Sequence, residues 1–500
     1  MSCTEQGSVT GNFAMRLQGK FYLVCLAASV LLSGCSKKSA SHESPGIPVA
    51  RPFKDLRDLP GTIANVTLTS NTVRIDESTT HRILKSIGSD GDIFVFDNSD
   101  QRIQGLHEGQ ILLLDKVAVR RVLVVAKKDN LIVVGTDYAS LTDFIQQGQL
   151  KWSAPIKFGS LFSAKDSSAP SRPTPSMWFI PNGTVYAAGT ELSYSGKVDD
   201  WDTSMSVTPS SNRLDVAFRV SRSSQGMNVM TSAKGYLKDF LSSADIQVAQ
   251  GDLSNFSYNA TNLNGEVDVQ YAATRDGEAA GIDKPNIKLP PLAKIPMPID
   301  GIPFILTINA NLILKPGFGA KKEAASGSFQ ITYNGDEGFQ VKGGNAQSSS
   351  TIDGTGTIGR VQTASLAPHA ILIGVAAPKI TLSLGMQSAM DVLQQAFPSG
   401  LADSLGDFLA NTGAGKWAKK KMNSSFKTEA AAYVQTVAVG TMASEGSLGM
   451  IPCKLTRLLL QFQGGADAYL LGQKTAEKDL IFAKKEFVVR EPDVKACGDK

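Results

Sequence analysis

The sequence predicts a mainly β protein: a small N-terminal antiparallel β domain, then a larger β-sandwich-like domain with a short helical pair near the C-terminal third. Three observations carry this. Glycine is abundant, at 46 residues, while aromatics make up only 7% of the chain, a balance that suits turn-rich sheet more than a helical bundle. From Thr62 onward, short β-branched runs recur between Gly, Asp and Asn, the pattern of strands divided by turns. Phe304, Leu306, Ile308, Ala310, Leu312 and Leu314 fall on alternate positions, the period-two pattern of a long strand with one apolar face.

The N-terminal segment is unlike the rest. Arg16 and Lys20 precede Phe21–Leu32, an apolar run interrupted only by Ser29. A helix that crosses a bilayer core needs about 20 residues, so this run instead has the length of a signal-peptide h-region. The basic n-region fits a start at Met15 better than one at Met1. The run closes on Leu32-Ser33-Gly34-Cys35, which resembles the lipobox of bacterial lipoproteins. That resemblance implies loss of residues 1–34, lipidation of the Cys35 thiol and a membrane as partner through that lipid. Because Ser36 and not Asp follows the cysteine, it also implies the outer membrane where a cell has one. More than one acyl chain gives stable anchoring, at about 0.8 kcal/mol per buried methylene. The competing reading is a short buried helix that happens to contain a cysteine. Residues 35–61 are polar, Pro-bearing and aperiodic, the composition of a tether.

Residues 62–158 read as the small β domain, with strands around Ile63–Leu68, Val73–Ile75, Ile93–Phe96, Ile111–Leu114, Val117–Ala126 and Leu131–Val134. Ser140 reads as the N-cap of a helix that runs through Gln147 and stops at Gly148. Residues 159–180, centred on the Ser/Pro-rich stretch Ser163–Ser176, form a linker, and 181–500 form the large domain. Within it Phe329, Ile331 and Tyr333, then Asn334-Gly335, then Phe339 and Val341 read as a hairpin. Pro285–Pro303 reads as an edge or crossing segment, because proline cannot donate to a ladder. The apolar spacing of Met386, Met390, Leu393 and Phe397, and of Leu401, Leu405, Phe408 and Leu409, predicts helices over about 386–412. Residues 429–450 fit helix at Ala430–Ala432 and strand at Tyr433–Val439. Leu455–Phe462 and Leu480–Val489 read as strands.

Candidate chemistry is sparse. With Cys3 and Cys25 removed and Cys35 lipidated, Cys453 and Cys497 remain as an even pair in an exported chain, which predicts a disulfide. Closing that loop contributes about 4 kcal/mol in the chain-entropy description. Gly354-Thr355-Gly356-Thr357-Ile358-Gly359 matches a dinucleotide fingerprint, but a polar stretch precedes it and no helix pattern follows, so a Gly/Thr loop is the better reading. The four histidines, His42, His81, His107 and His369, have no metal-like spacing. Asp199, Asp200 and Asp202, and Asp90, Asp92, Asp97 and Asp100, offer oxygen ligands for Ca²⁺ but are also ordinary turn residues. No catalytic, cofactor-binding or metal residue is nominated. A net charge of only +4 with dispersed Lys and Arg argues against nucleic acid.

Together these readings describe a lipoprotein with a structural, adhesive or binding role in the envelope. The alternatives are a hydrolase of envelope or extracellular polymer, marked by two carboxyls in one pocket, and a carrier of lipid or hydrophobic ligand, marked by an elongated apolar cavity. Replacing Cys35 with Ala is expected to leave unprocessed precursor or to release the protein. Membrane fractionation checks this, and a processed Cys35→Ala protein that still sediments with membranes contradicts it.

Overall fold

The computed structural model describes residues 61–158 and 192–492, except 225, 278–285, 319–320, 344, 364–368, 386–398, 412–430, 449–450, 467–468, 471–472 and 475–477. In chain order the first part comprises β1 (Ile63–Leu68), β2 (Thr72–Ile75), α1 (Glu77–Ile83), β3 (Leu84–Ile87), β4 (Ile93–Asp97), α2 (Gln101–Gln104), β5 (Ile111–Leu114), β6 (Ala118–Lys128), β7 (Leu131–Tyr138), α3 (Leu141–Phe144) and β8 (Ile145–Ile156). Next come β9 (Leu192–Val198), β10 (Trp201–Pro209), β11 (Arg213–Ser224), β12 (Met227–Lys238), β13 (Phe240–Ala249) and β14 (Asp252–Asp276). β15 (Asn286–Lys288), β16 (Ala293–Ile299), β17 (Ile302–Phe318), β18 (Lys322–Lys342), β19 (Asn345–Ser350), β20 (Asp353–Ile358), β21 (Gln362–Thr363) and β22 (His369–Leu384) follow. The last elements are α4 (Gly400–Asn411), β23 (Ala431–Leu448), β24 (Ile451–Ala466), β25 (Tyr469–Leu470), β26 (Gln473–Lys474) and β27 (Lys478–Glu491).

Among the described residues the strands form two large antiparallel sheets, one smaller six-stranded sheet and the two-stranded pair β25-β26. The large sheet runs β1-β8-β13-β14-β12-β11-β10-β9, and β18 lies along the other edge of β14, carrying β19, β20 and β21. The second sheet runs from β15 and β16 through β17, β22, β23 and β24 to β27. The small sheet has the order β2-β5-β6-β7-β4-β3, with β2 and β5 its one parallel pair.

Side-chain alternation sets the layers. In β14 Phe256, Tyr258, Ala260, Val267, Val269, Tyr271 and Ala273 point inward, while their chain neighbours face outward. Val434, Ala438 and Met442 of β23 and Leu458, Leu460 and Phe462 of β24 join the same continuous core from the second sheet. Trp152 of β8 meets Phe304 of β17 across the interface, with ring centroids 5.3 Å apart. The closest approach is made by glycines of β20. A Cβ at Gly354 would lie 2.6 Å from Leu460 Cδ2, and one at Gly356 would lie 2.7 Å from Leu458 Cδ2 and 2.8 Å from the Phe487 ring.

The small sheet packs against the β16–β17 turn. Lys116 N donates to Gly301 O at 2.6 Å, Arg74 Nη2 donates to Asp300 O at 2.8 Å, and Ile305 enters the small sheet's own core. On the other face of that sheet, Ala402 and Leu405 of α4 pack with Val95, Leu123, Val124 and Val133. Asp403 of α4 accepts from Ser89 N, and Ala402 N donates to Ser86 Oγ.

Several local expectations change. The helix begun by Ser140 has its capping box with Asp143 but ends at Phe144, and Gln147 and Gly148 lie in β8. Pairing of β8 with β1 and β13 satisfies more backbone groups there than another helical turn would. Asn334-Gly335 makes no hairpin: β18 continues through it, with Gly335 at φ 139° opposite a register shift between Ala260 and Leu263 of β14. The local signal marks a bulge that bends two long strands. Gly354–Ile358 is strand and not loop. β17 has one apolar face only in its C-terminal half, since Ile302–Ile308 is buried throughout, between the second sheet's partner and the small sheet. Residues 62–158 divide between two sheets, because β1 and β8 belong to the large one. The stretch 429–450 resolves to strand β23. Within the helical pair, Gly400–Asn411 is helix, while 386–398 and the linker 159–180 lie outside the described residues.

Gly356→Val is expected to destabilise by about 1–3 kcal/mol through overpacking. Gly400→Ala, where nothing lies within 4 Å of the added carbon, is expected to stay within about 0.5 kcal/mol. Denaturant unfolding of both variants checks the contrast.

Candidate functional site: an outward polar trough and a buried acid

Of the residues singled out from sequence, Cys35 and Cys497 lie outside the described residues. Cys453 is buried at the start of β24 and disulfide-bonded. The adjacent residue Lys454 pairs with Glu491 near the end of β27. The aspartates have structural employment. Asp199 takes the β9–β10 turn at φ 52°, Asp200 lies 3.6 Å from Arg222, and Asp202 lies 3.9 Å from Lys197. Asp97 accepts from Ser99 and pairs with Lys85 at 2.9 Å, and Asp100 caps α2. Among the described residues no three His, Cys, Asp or Glu side chains converge as a metal site.

A concavity of ≈ 510 Å³ lies on the outward face of the large sheet. Antiparallel register builds it from two complete rows of side chains across β9, β10, β11, β12 and β14. One row is Ser195, Ser204, Arg219, Ser232 and Gln270; the next is Ser193, Ser206, Ala217, Lys234 and Asp268. Serine and alanine supply most of the lining, and the longer Arg219, Lys234 and Gln270 stand on β11, β12 and β14. Lys234 and Asp268 face each other at 3.7 Å, an exposed pair of little energetic weight. The trough therefore offers hydroxyls that donate and accept, an amide and a guanidinium fork. Its only carboxylate is Asp268. Reading the strands separately missed this site, although serine at alternate positions (193 and 195, 204 and 206) was its sequence signal.

A second polar group sits on the inward face. Glu337 shares a cross-strand row with Ala260, Ser242 and Ala154, and Tyr258 stands in the neighbouring row between Ala244 and Phe339. Glu337 is 1% exposed, and its Oε1, the Tyr258 hydroxyl and the Ser242 hydroxyl have no well-formed hydrogen bond. Burial pushes the Glu337 carboxyl up to about 8, and burial raises the Tyr258 phenol as well. The sequence analysis did not single out Glu337; it lies between Asn334-Gly335 and Phe339, in the stretch expected to form a hairpin, and here it faces inward within β18.

The two sheets also enclose an apolar gap bounded by Leu214, Leu237, Leu292, Ile308, Ala377 and Tyr333. At ≈ 40 Å³ it has room for about three water-sized groups at about 10–15 Å³ each, less than an acyl chain needs.

The folded state keeps a proton on Glu337 that an ordinary unfolded carboxyl has released. That contribution to stability is fully present below the unfolded value of 4.5 and is lost as pH rises to about 8; the whole window is worth on the order of 5 kcal/mol. Glu337→Gln is expected to flatten this slope. Denaturant unfolding from pH 5 to pH 9 checks it, and an equal slope in both proteins contradicts it.

Comparison with known proteins places no function on either face. No curated protein and no solved structure matches the chain. Residues 59–147 match a family described as a domain of unknown function, DUF8403, and residues 188–392, which carry the trough and the buried acid, match a second, DUF8402.

Proposed function

We propose that the chain is a lipoprotein of the cell envelope, held to the outer membrane through lipidated Cys35, that binds an extended glycan without changing it chemically. The observation that carries the binding role is the serine-floored trough on the outward face of the large sheet. Glycan hydroxyls both donate and accept, and serine hydroxyls, the Gln270 amide, the Arg219 fork and the Asp268 carboxylate match them. Serines recur on β9, β10 and β12, so successive units of a polymer meet the same kind of partner. Pairing of Cys453 with Cys497 is part of the same reading, because an exported chain oxidises its thiols.

The geometry favours neither alternative. A glycosidase needs two carboxyl groups flanking one bond, whereas the trough holds Asp268 beside Lys234, and the acid raised by burial lies on the opposite side of the sheet. A hydrophobic carrier needs an elongated cavity, and the gap between the sheets is far smaller than a lipid chain.

A hydrogen bond to a charged group contributes about 1.5–3 kcal/mol, so Arg219→Ala is expected to weaken glycan binding about tenfold or more, with Gln270→Ala adding to the loss. Calorimetry with soluble fragments of envelope polysaccharide checks this. Wild-type affinity in the double variant, or release of shortened products, contradicts the reading.

A further inference from the structure

We propose that the outward face of the second sheet, beyond the part of β17 that the small sheet covers at Ile305, is a docking surface for an anionic lipid bilayer. The inference rests on anchoring through Cys35 and adds what the protein body does once it is anchored.

Register again puts separate strands into rows. Ile313, Gly374, Val439, Leu459 and Glu486 form one row across β17, β22, β23, β24 and β27, and Lys315, Leu372, Thr441, Arg457 and Val488 form the next. Val437 extends the apolar strip on β23, in the row that ends at Lys484. Ile313 is 39% and Val488 49% exposed, and Leu372, Val437, Val439 and Leu459 between them are half-buried. None of these six belongs to a hydrophobic core of the molecule. A single exposed leucine needs no explanation, but a contiguous strip over five strands does.

Charge selects the occupant. Lys315, Arg457 and Lys484 stand exposed in the same rows, against one carboxylate, Glu486, which lies 3.6 Å from Arg457. Apolar side chains at the centre with cations around them match the acyl boundary and the anionic head groups of a bilayer. A second copy of the chain fits poorly, because a two-fold contact sets the patch against itself and brings cation to cation. Since the inner face of this sheet packs on the large sheet, docking leaves the polar trough pointing away from the lipid.

The test uses the lipidated full-length protein on vesicles of phosphatidylcholine with and without phosphatidylglycerol. A Val488→Trp variant reports depth through quenching by brominated lipid, read against the wild-type tryptophan background. The added emission is expected to be largely quenched on vesicles containing phosphatidylglycerol, less so at high salt. Lys315→Glu with Lys484→Glu is expected to abolish the quenching while the protein still floats with the vesicles. Flotation with no quenching of the Val488→Trp emission overturns docking but leaves the anchor standing. Failure to float removes the anchor and docking together. Concentration-dependent shielding of the introduced side chain without lipid also overturns docking, in favour of self-association.

Discussion

Everything in this molecule depends on the contact between the inner faces of two long antiparallel sheets. Neither is stable alone, because the long strands of each present rows of apolar side chains that pack mainly against the other. The contact is close enough that β20 has glycine where Leu458, Leu460 and Phe487 press against it. It is also continuous, running from Trp152 and Phe304 to Leu460 and Phe462 in one core. Burial at this contact supplies the bulk of the stability, as apolar burial does generally. It also tolerates the buried acid Glu337, whose desolvation is relieved by keeping its proton.

The alternation of the long strands was legible in the sequence, and with it the β class, because period-two patterning survives in any tertiary context. Phe304–Leu314 stood out for that reason. Punctuation was less legible. Asn334-Gly335 carries the local chemistry of a tight turn, yet with β14 paired alongside, the same positive φ serves as a bulge inside a strand. Ser140 announced its helix correctly, but strand pairing ended it at Phe144. The trough could not be read from one strand, since it exists only where register aligns serines from β9, β10 and β12 with Arg219 of β11 and Gln270 of β14. Glu337 was hidden for the complementary reason: it lies in the stretch expected to form a hairpin, and only its place in β18 reveals that it faces inward.

Using the inner faces for stability leaves the two outer faces to meet the surroundings, and they differ in chemistry. One is a hydroxyl-lined concavity with mixed charge; the other is an apolar strip edged with cations. The small sheet, fixed by Arg74 and Lys116 to the turn at Asp300 and Gly301, covers the outer side of β17 at Ile305, eight residues before the strip reaches Ile313. On the proposed reading, with the chain anchored through Cys35, this division lets one face rest on the membrane while the opposite face stays available to a polymer.

Acylation footprinting of lysines on the membrane-bound, lipidated protein tests this two-faced arrangement most directly. Lys315 and Lys484 on the second sheet should lose reactivity when the protein sits on anionic vesicles, while Lys197 and Lys234 beside the trough keep theirs. Protection of Lys197 and Lys234 with Lys315 and Lys484 still reactive would contradict it.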